Sequence, residues 1–436
     1  MTTTTTIQQD NTSMATNTKA GGINPLKLWP WLAVLLIAVV LPFVFDSGHT
    51  INLLSHMGVA IIFALSYNML LGNTGLLSFG HAVYFGLGAF VAMHLLRAIN
   101  DAGGTGLPIE LLPLAGAAAG LGFGIIFGSF SVRRAGVVFA MITLGLGELV
   151  HSSSLMFTDF FGGEAGLFGY RDEAPSLLGV DYAPSRNVYF LVVAWTLIAA
   201  ILMYLLRKTP LGWMANAVRD NPERAQFVGY NPTIVRYIQF VLSACFAGLA
   251  GGLFVITNEI VNDEVVGQLQ SGAVLLGTFI GGIGYFIGPV IGASLVTFLE
   301  SSLSAHTEAW VLYFGLLFIS IVMFAPMGLV GIVHTQYVNW KTGGWKGNTG
   351  IRLYILVSGI VGIFGLICVT ELSYHYFRSW DPSAPFSLMG ISTNATHFMP
   401  WLVSFAITLI GFGLMLFHAN PLLKRHISAN SDGGKA

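Results

Sequence analysis

Glu148 and His151 stand three residues apart in "TLGLGELVHSSS", inside a run otherwise apolar enough to lie in lipid. Ionisable groups at membrane depth are costly, and they mark proton relays, substrate paths or polar contacts between helices. At i and i+3 on a helix the two share a face, so they can bond each other or a neighbouring helix. Two readings stand, a coupling or substrate-path pair and a polar helix-packing contact. His81 is open in the same way, as a path marker or a hydrogen-bonded histidine in a glycine-rich helix. His94 is a further intramembrane candidate.

A different chemistry is written in "AVRDNPERAQFVGYNP" (217–232), where Arg219, Asp220, Glu223 and Arg224 fall close together. Asn221 suits an N-cap, and Pro222 suits the first helical position, whose N–H needs no partner. Glu223 favours the positive helix N-terminus, and Gly229 can close the C-terminus in the left-handed conformation. Asn231-Pro232 repeats the device and opens the next apolar run. So short a helix is not stable alone in water. It is either a solvated connector or a docking helix that receives work from a partner.

Other chemistries lack their residues. The sequence has no Gly-Lys-Ser/Thr of a P-loop, no His-Glu metalloprotease pair, no Cys-x-x-Cys and no Gly-x-Ser-x-Gly. The reading is therefore a non-enzyme with no cofactor and no metal. Cys245 and Cys368 sit singly in apolar runs and read as small core residues. A net charge of −1 gives no pull toward nucleic acid.

The elements that must position these groups are set by composition. Of 436 residues 54% are hydrophobic and 9% charged, and mean hydropathy is +0.74. An ordinary globular domain carries about 25% charged residues, so the solvent for most of this chain is the lipid bilayer. A crossing helix needs roughly 20 apolar residues. Such segments fall near 29–46, 51–71, 77–97, 109–130, 135–157, 187–206, 234–257, 309–326, 351–371 and 399–418, with an ambiguous stretch over 270–301 that holds Gly281, Gly282 and Gly284.

Lys and Arg collect on the cytoplasmic side. With Lys19 and Lys27 inside, Arg133, Arg134 and the 207–236 loop also fall inside, and the acidic 158–186 loop falls outside. Two crossings by 270–301 then put Lys341, Lys346 and Arg352 inside with Lys424 and Arg425. The expectation is an all-α polytopic transmembrane helix bundle of about 12 spans with both termini cytoplasmic. The Thr-rich residues 1–28 read as a disordered tail, 332–350 as a linker and 419–436 as a cytoplasmic tail. Glycines every fourth residue, at Gly116–Gly128 and Gly284–Gly292, predict close helix packing.

Several blocks in order now resemble a known family. "GNTGLLSFGHAVYFGLGAF" (72–90), "RRAGVVFAMITLGLGEL" (133–149), "FGGEAGL" (161–167), "GWMANAVRDNPERAQFVGYN" (212–231), "SACFAGLAGGLF" (243–254), "GGIGYFIGPVIGA" (281–293) and "FAPMGLVG" (324–331) are similar to LivM-type permeases of branched-chain amino acid ABC importers. The resemblance implies a permease domain over 29–331 with a ten-span core, and an extra transmembrane hairpin over 351–418. It implies a bacterial inner-membrane protein that pairs with a LivH-like second permease, two cytoplasmic ATPase subunits and a periplasmic binding protein. The ATPase-docking segment falls on Arg219, Asp220, Asn221, Glu223, Arg224 and Gly229, while His81, Glu148 and His151 stay candidates for the translocation path. The implied cargo is a branched-chain or related small amino acid, with urea or short amides as alternatives. An ion-coupled secondary transporter using Glu148 and His151 is the rival reading.

Overall fold

A computed structural model gives the structure, which describes residues 29–177, 179–305, 307, 309–324, 327–341, 349–378, 386–388 and 391–414. The tails expected over 1–28 and 419–436, and Lys346 in the expected linker, lie outside the described residues. The protein is all-α apart from two-residue and three-residue strands. Its helices are α1 (Trp29–Val44), α2 (Gly48–Thr74), α3 (Ala82–Asp101), α4 (Leu112–Ser131), α5 (Val137–Met156) and α6 (Thr158–Phe161). They continue with α7 (Ser185–Lys208), α8 (Pro210–Asp220), α9 (Pro222–Phe227), α10 (Pro232–Asn258), α11 (Gln268–Gly281) and α12 (Gly288–Ser304). The last four are α13 (Trp310–Phe324), α14 (Gly328–Lys341), α15 (Thr349–Arg378) and α16 (Phe398–Gly413). Residues up to Ser47, with α1, form one unit, and Gly48 onward forms another.

Among the described residues seven helices are long and apolar enough to cross a membrane, or eight if Trp310–Met323 and its bent continuation Gly328–Val338 make one span. The protein is a multi-pass membrane protein. Each of the twelve expected segments overlaps a helix, but twelve is not the number that length and composition carry. The stretch over 270–301 does split in two, at Gly282, whose φ of +114° ends α11. Its halves are 14 and 17 residues long, about 21 and 26 Å at 1.5 Å per residue, against a hydrocarbon core of about 30 Å. Part of the expected linker over 332–350 is helical instead, as α14.

The centre of the second unit is α10 packed on α2, α3 and α4. Small residues make that possible, because lipid supplies no hydrophobic drive between helices and backbones must approach closely. A Cβ on Gly248 of α10 would stand 2.9 Å from Gly120 Cα of α4, closer than real side chains come. Gly116, Gly120, Gly124 and Gly128 all face α10, where they meet Gly248, Gly252, Ala244, Val241 and Phe240. Farther along the chain, Gly411 of α16 abuts Gly362 of α15. Tyr313 of α13 donates to Glu371 Oε1 of α15 at 2.7 Å, which ties that hairpin to the bundle.

The loop 158–186 caps the end of the bundle where α10 stops. Strand β1 (Leu167–Phe168) pairs antiparallel with β2 (Ile260–Val261) just beyond α10. Arg171 donates to the carbonyls of Tyr182, Ile256 and Thr257, and its backbone N–H donates to Glu259 Oε1 at 2.9 Å. Glu110 accepts from the Leu177 N–H and the Tyr182 hydroxyl. Burial and the Glu110 carboxylate push the Tyr182 phenol up to about 12, so it remains a donor at any physiological pH.

Candidate functional site

The charged segment between α7 and α10 folds as two short helices. In α8, Gly212, Ala215 and Val218 turn inward. With Ala225 of α9, Val235 of α10 and Met214 they form a small apolar cluster, which supplies the packing that helices this short need. Asn221 caps α9, its Oδ1 accepting from the Arg224 N–H at 2.9 Å, with Pro222 at the first position. Gly229 follows with φ +93°. Asn231 Oδ1 then accepts from the Thr233 N–H at 3.0 Å and opens α10.

The charges of this segment do different work. Arg219 Nη1 donates to the Gly72 carbonyl near the end of α2, and its Nε donates to Asp220 Oδ1 at 3.0 Å. The bond to Gly72 fastens α8 to the bundle, and Asp220 holds the guanidinium from within α8. Glu223 and Arg224 are exposed and make no ion pair among the described residues. Beside them lie large apolar side chains that sequence reasoning left out: Trp213 is 70% exposed and Phe227 91%, with Val228 and Tyr230 also exposed. They were legible as apolar residues out of register with the buried positions Gly212, Ala215, Val218 and Ala225.

Glu148 and His151 do not bond each other. His151 Nε2 lies 3.4 Å from Asp263 Oδ2 on the turn after β2, and Glu148 is exposed on the outer face of α5. His81 is buried. Its Nε2 is 3.1 Å from Ser66 Oγ, its ring stacks on Phe63 at 5.5 Å, and Tyr67 meets it edge-on at 5.2 Å. Tyr67 in turn donates to the Ser78 carbonyl at 2.9 Å, so this polar knot fixes the non-helical passage between α2 and α3. His94 Nε2 donates to the Phe160 carbonyl at 2.7 Å, within the cap. Among the described residues no hydrogen bond or ion pair joins any two of these four.

A cavity of about 500 Å³ lies between α2, α3, α10, α11 and α12, lined by His49, Asn52, His56, Gln270 and Glu300 above Phe63 and Phe85. It occupies the N-terminal end of α2, opposite the end gripped by Arg219. Its deep side meets the seam between α11 and α12, where Gly277 packs on Ala293 and Gly281 on Gly288. That seam is backbone against backbone, so no side-chain rotation opens it. None of the expected site residues lines this cavity. The signal was available: His49, Asn52 and His56 recur at i, i+3 and i+7, one stripe of a helix.

The family described as branched-chain amino acid transport system / permease component matches residues 49–327. The chain belongs to that family. It is 30% identical over 342 residues to the high-affinity branched-chain amino acid transport system permease protein LivM of Salmonella typhimurium, covering 72% of this chain and 77% of the relative. With the LivM of Escherichia coli K12 it shares 28% over 337 residues, with the same two coverages. A probable LivH permease of Methanocaldococcus jannaschii is 25% identical over 301 residues, 66% of this chain and 91% of the relative. No solved structure matches the chain. These relatives are named as transport permeases rather than enzymes. The family match runs from the start of α2 to just past α13 and takes in α8 and α9, the cavity and α5, but leaves out the α15–α16 hairpin.

Proposed function

We propose that this family member is the permease subunit of an ATP-binding cassette importer that brings branched-chain or related small amino acids into the cytoplasm by alternating access. The observation that carries the reading is the surface of α8 and α9. Helix α8, fastened to the bundle by Arg219, and α9, capped by Asn221, present Glu223 and Arg224, which make no ion pair among the described residues, beside exposed Phe227 and Trp213. Burying a side chain such as Phe227 is worth about 1.5–3 kcal/mol, which a partner can supply and water cannot. Complementary charge around such an apolar centre selects the partner. Two ATPase subunits on separate chains fit that description.

The orientation follows from the same loop. With α8 and α9 in the cytoplasm, the Arg171 and Glu110 cap and the mouth of the cavity face the periplasm, where a substrate-binding protein would deliver cargo. This reading includes the twelve-span topology with cytoplasmic termini in a bacterial inner membrane, and a LivH-like second permease. The substrate class rests on the relatives' names. The test is the double variant Glu223→Arg/Arg224→Glu in the full transporter, with normal membrane levels, weak ATPase co-purification and lost leucine uptake expected. A double variant that keeps its ATPase and imports at the wild-type rate makes α9 only a connector.

A further inference from the structure

At 1.5 Å per residue Glu148 lies about 16 Å from the Val137 end of α5 and about 12 Å from the Met156 end, well inside a bilayer core of about 30 Å. It is nevertheless exposed, and among the described residues it makes no hydrogen bond or ion pair. His151, one turn on, is engaged by Asp263. Met141, Gly145, Glu148 and Ser152 follow at helical spacing and are all exposed, so they form one outward stripe. A Cβ at Gly145 would meet nothing within 4 Å.

The other long outer helices turn apolar residues outward through their middle turns: Leu121, Ile125 and Ile126 on α4, and Ile198, Ile201 and Leu202 on α7. Those faces suit lipid. A carboxylate facing lipid is costly even on the lenient insertion scales, and acidic residues in spans face a bundle interior or a water-filled space. The α5 stripe is therefore covered by something wet.

We infer that the outward stripe of α5 is this subunit's wall of the transport path, shared with the second permease, and that Glu148 receives the ammonium group of a zwitterionic amino acid there. The inference rests on the permease reading and adds the site and its chemistry. The carboxylate supplies the negative partner, and Gly145 leaves room beside it for the substrate backbone. Exposed Met141, Leu144 and Leu149 offer apolar surface to the substrate side chain. The substrate's own carboxylate is left for a donor across the path.

The test uses the full transporter in cells, with single Gly145→Cys, Glu148→Cys and Ser152→Cys variants and Leu202→Cys as the lipid-facing control. The probe is a small cationic methanethiosulfonate, and site-by-site mass spectrometry separates these thiols from Cys245 and Cys368. The stripe is expected to label at least tenfold faster than Leu202→Cys, and saturating leucine with binding protein should slow that labelling severalfold. A second arm measures uptake: Glu148→Gln should lose at least tenfold at unchanged complex level and ATPase co-purification, and Glu148→Asp should recover most of it. Stripe labelling no faster than at Leu202→Cys overturns the path assignment. Full leucine uptake by Glu148→Gln overturns the ammonium role. Wild-type uptake with bound ATPase in the same cells keeps the permease reading standing in either case.

Discussion

α4 and α5 are consecutive apolar helices of 20 residues each, yet they use their glycines differently, every fourth residue on one face of α4 and two residues apart, at Gly145 and Gly147, on opposite faces of α5. On α4 the small face turns inward. Gly116, Gly120, Gly124 and Gly128 let its backbone lie against α10, and the outward face is left to leucine, isoleucine and phenylalanine. On α5 Gly147 is the inward one, with its Cβ position 3.4 Å from Gly80 Cα, while Gly145 looks outward over open space beside Glu148. One glycine set closes a seam within the chain. Gly145 instead leaves a notch on the surface of α5, with nothing within 4 Å of its Cβ position among the described residues. A glycine in a membrane helix thus has a meaning set by what its missing side chain would touch.

The largest expected effect breaks the α4 seam. A Cβ at Gly120 overlaps the Ala244 carbonyl and stands 3.0 Å from Gly248 Cα, and both are backbone. Leucine there must push α4 off α10, at a cost at or above the ~3 kcal/mol upper end of ordinary overpacking. Gly120→Leu is expected to remove nearly all monodisperse protein after detergent extraction and size exclusion. Leu121→Ala, one residue away on the 38% exposed lipid face, should leave the yield within twofold of wild type. Equal yields from the two variants would mean that the α4 face does not carry the packing.

The next effect sharpens the comparison on α5. A Cβ at Gly145 meets nothing within 4 Å among the described residues, so Gly145→Leu should keep the wild-type folded yield, whereas uptake should fall at least fivefold as the added side chain fills the notch. Loss of folded protein comparable to that of Gly120→Leu would place Gly145 in a seam, and the contrast between the two helices would disappear.

Much of this was legible in the sequence, for identifiable reasons. Span positions follow from apolar runs, and the local chemistry of Asn221, Pro222, Gly229 and Asn231 writes both caps into the sequence. The glycine ladder on α4 could be read as a packing face because its period is that of a helix. Its partner could not, since Gly248 and Gly252 lie more than a hundred residues away and spacing carries no information about which helices meet. The pairing of His151 was hidden in the same way: Glu148 is its neighbour in sequence, but the bonded carboxylate comes from Asp263 across a fold contact. The work of Arg219 was also hidden. A basic residue in a loop between apolar runs reads as surface charge, and only the Gly72 carbonyl beside it makes it a fastening. Polar residues near the start of α2 pass for interfacial groups until α11 and α12 close around them.

The smallest expected effect returns to α9 and tests whether a surface helix kept by one cap matters beyond its own stability. The Asn221 side chain accepts one N–H that helix geometry leaves unpaired. Alanine removes that bond at about 1 kcal/mol, which shifts a local folded-to-frayed equilibrium about fivefold. The bundle does not share the loss, because Ala215, Val218, Ala225 and Val235 still pack and Arg219 still holds α2. Asn221→Ala should therefore give wild-type extraction yield and thermal stability, with ATPase co-purification lowered about two- to fivefold and uptake lowered in proportion. Asn221→Asp, which also caps well, should restore both. This small change distinguishes two roles for the helix. If fraying α9 leaves ATPase binding untouched while Glu223→Arg/Arg224→Glu abolishes it, the partner reads the charges in any conformation. If both variants weaken binding in the order given, the partner reads a folded helix, and the cap belongs to the coupling surface as much as the charges do.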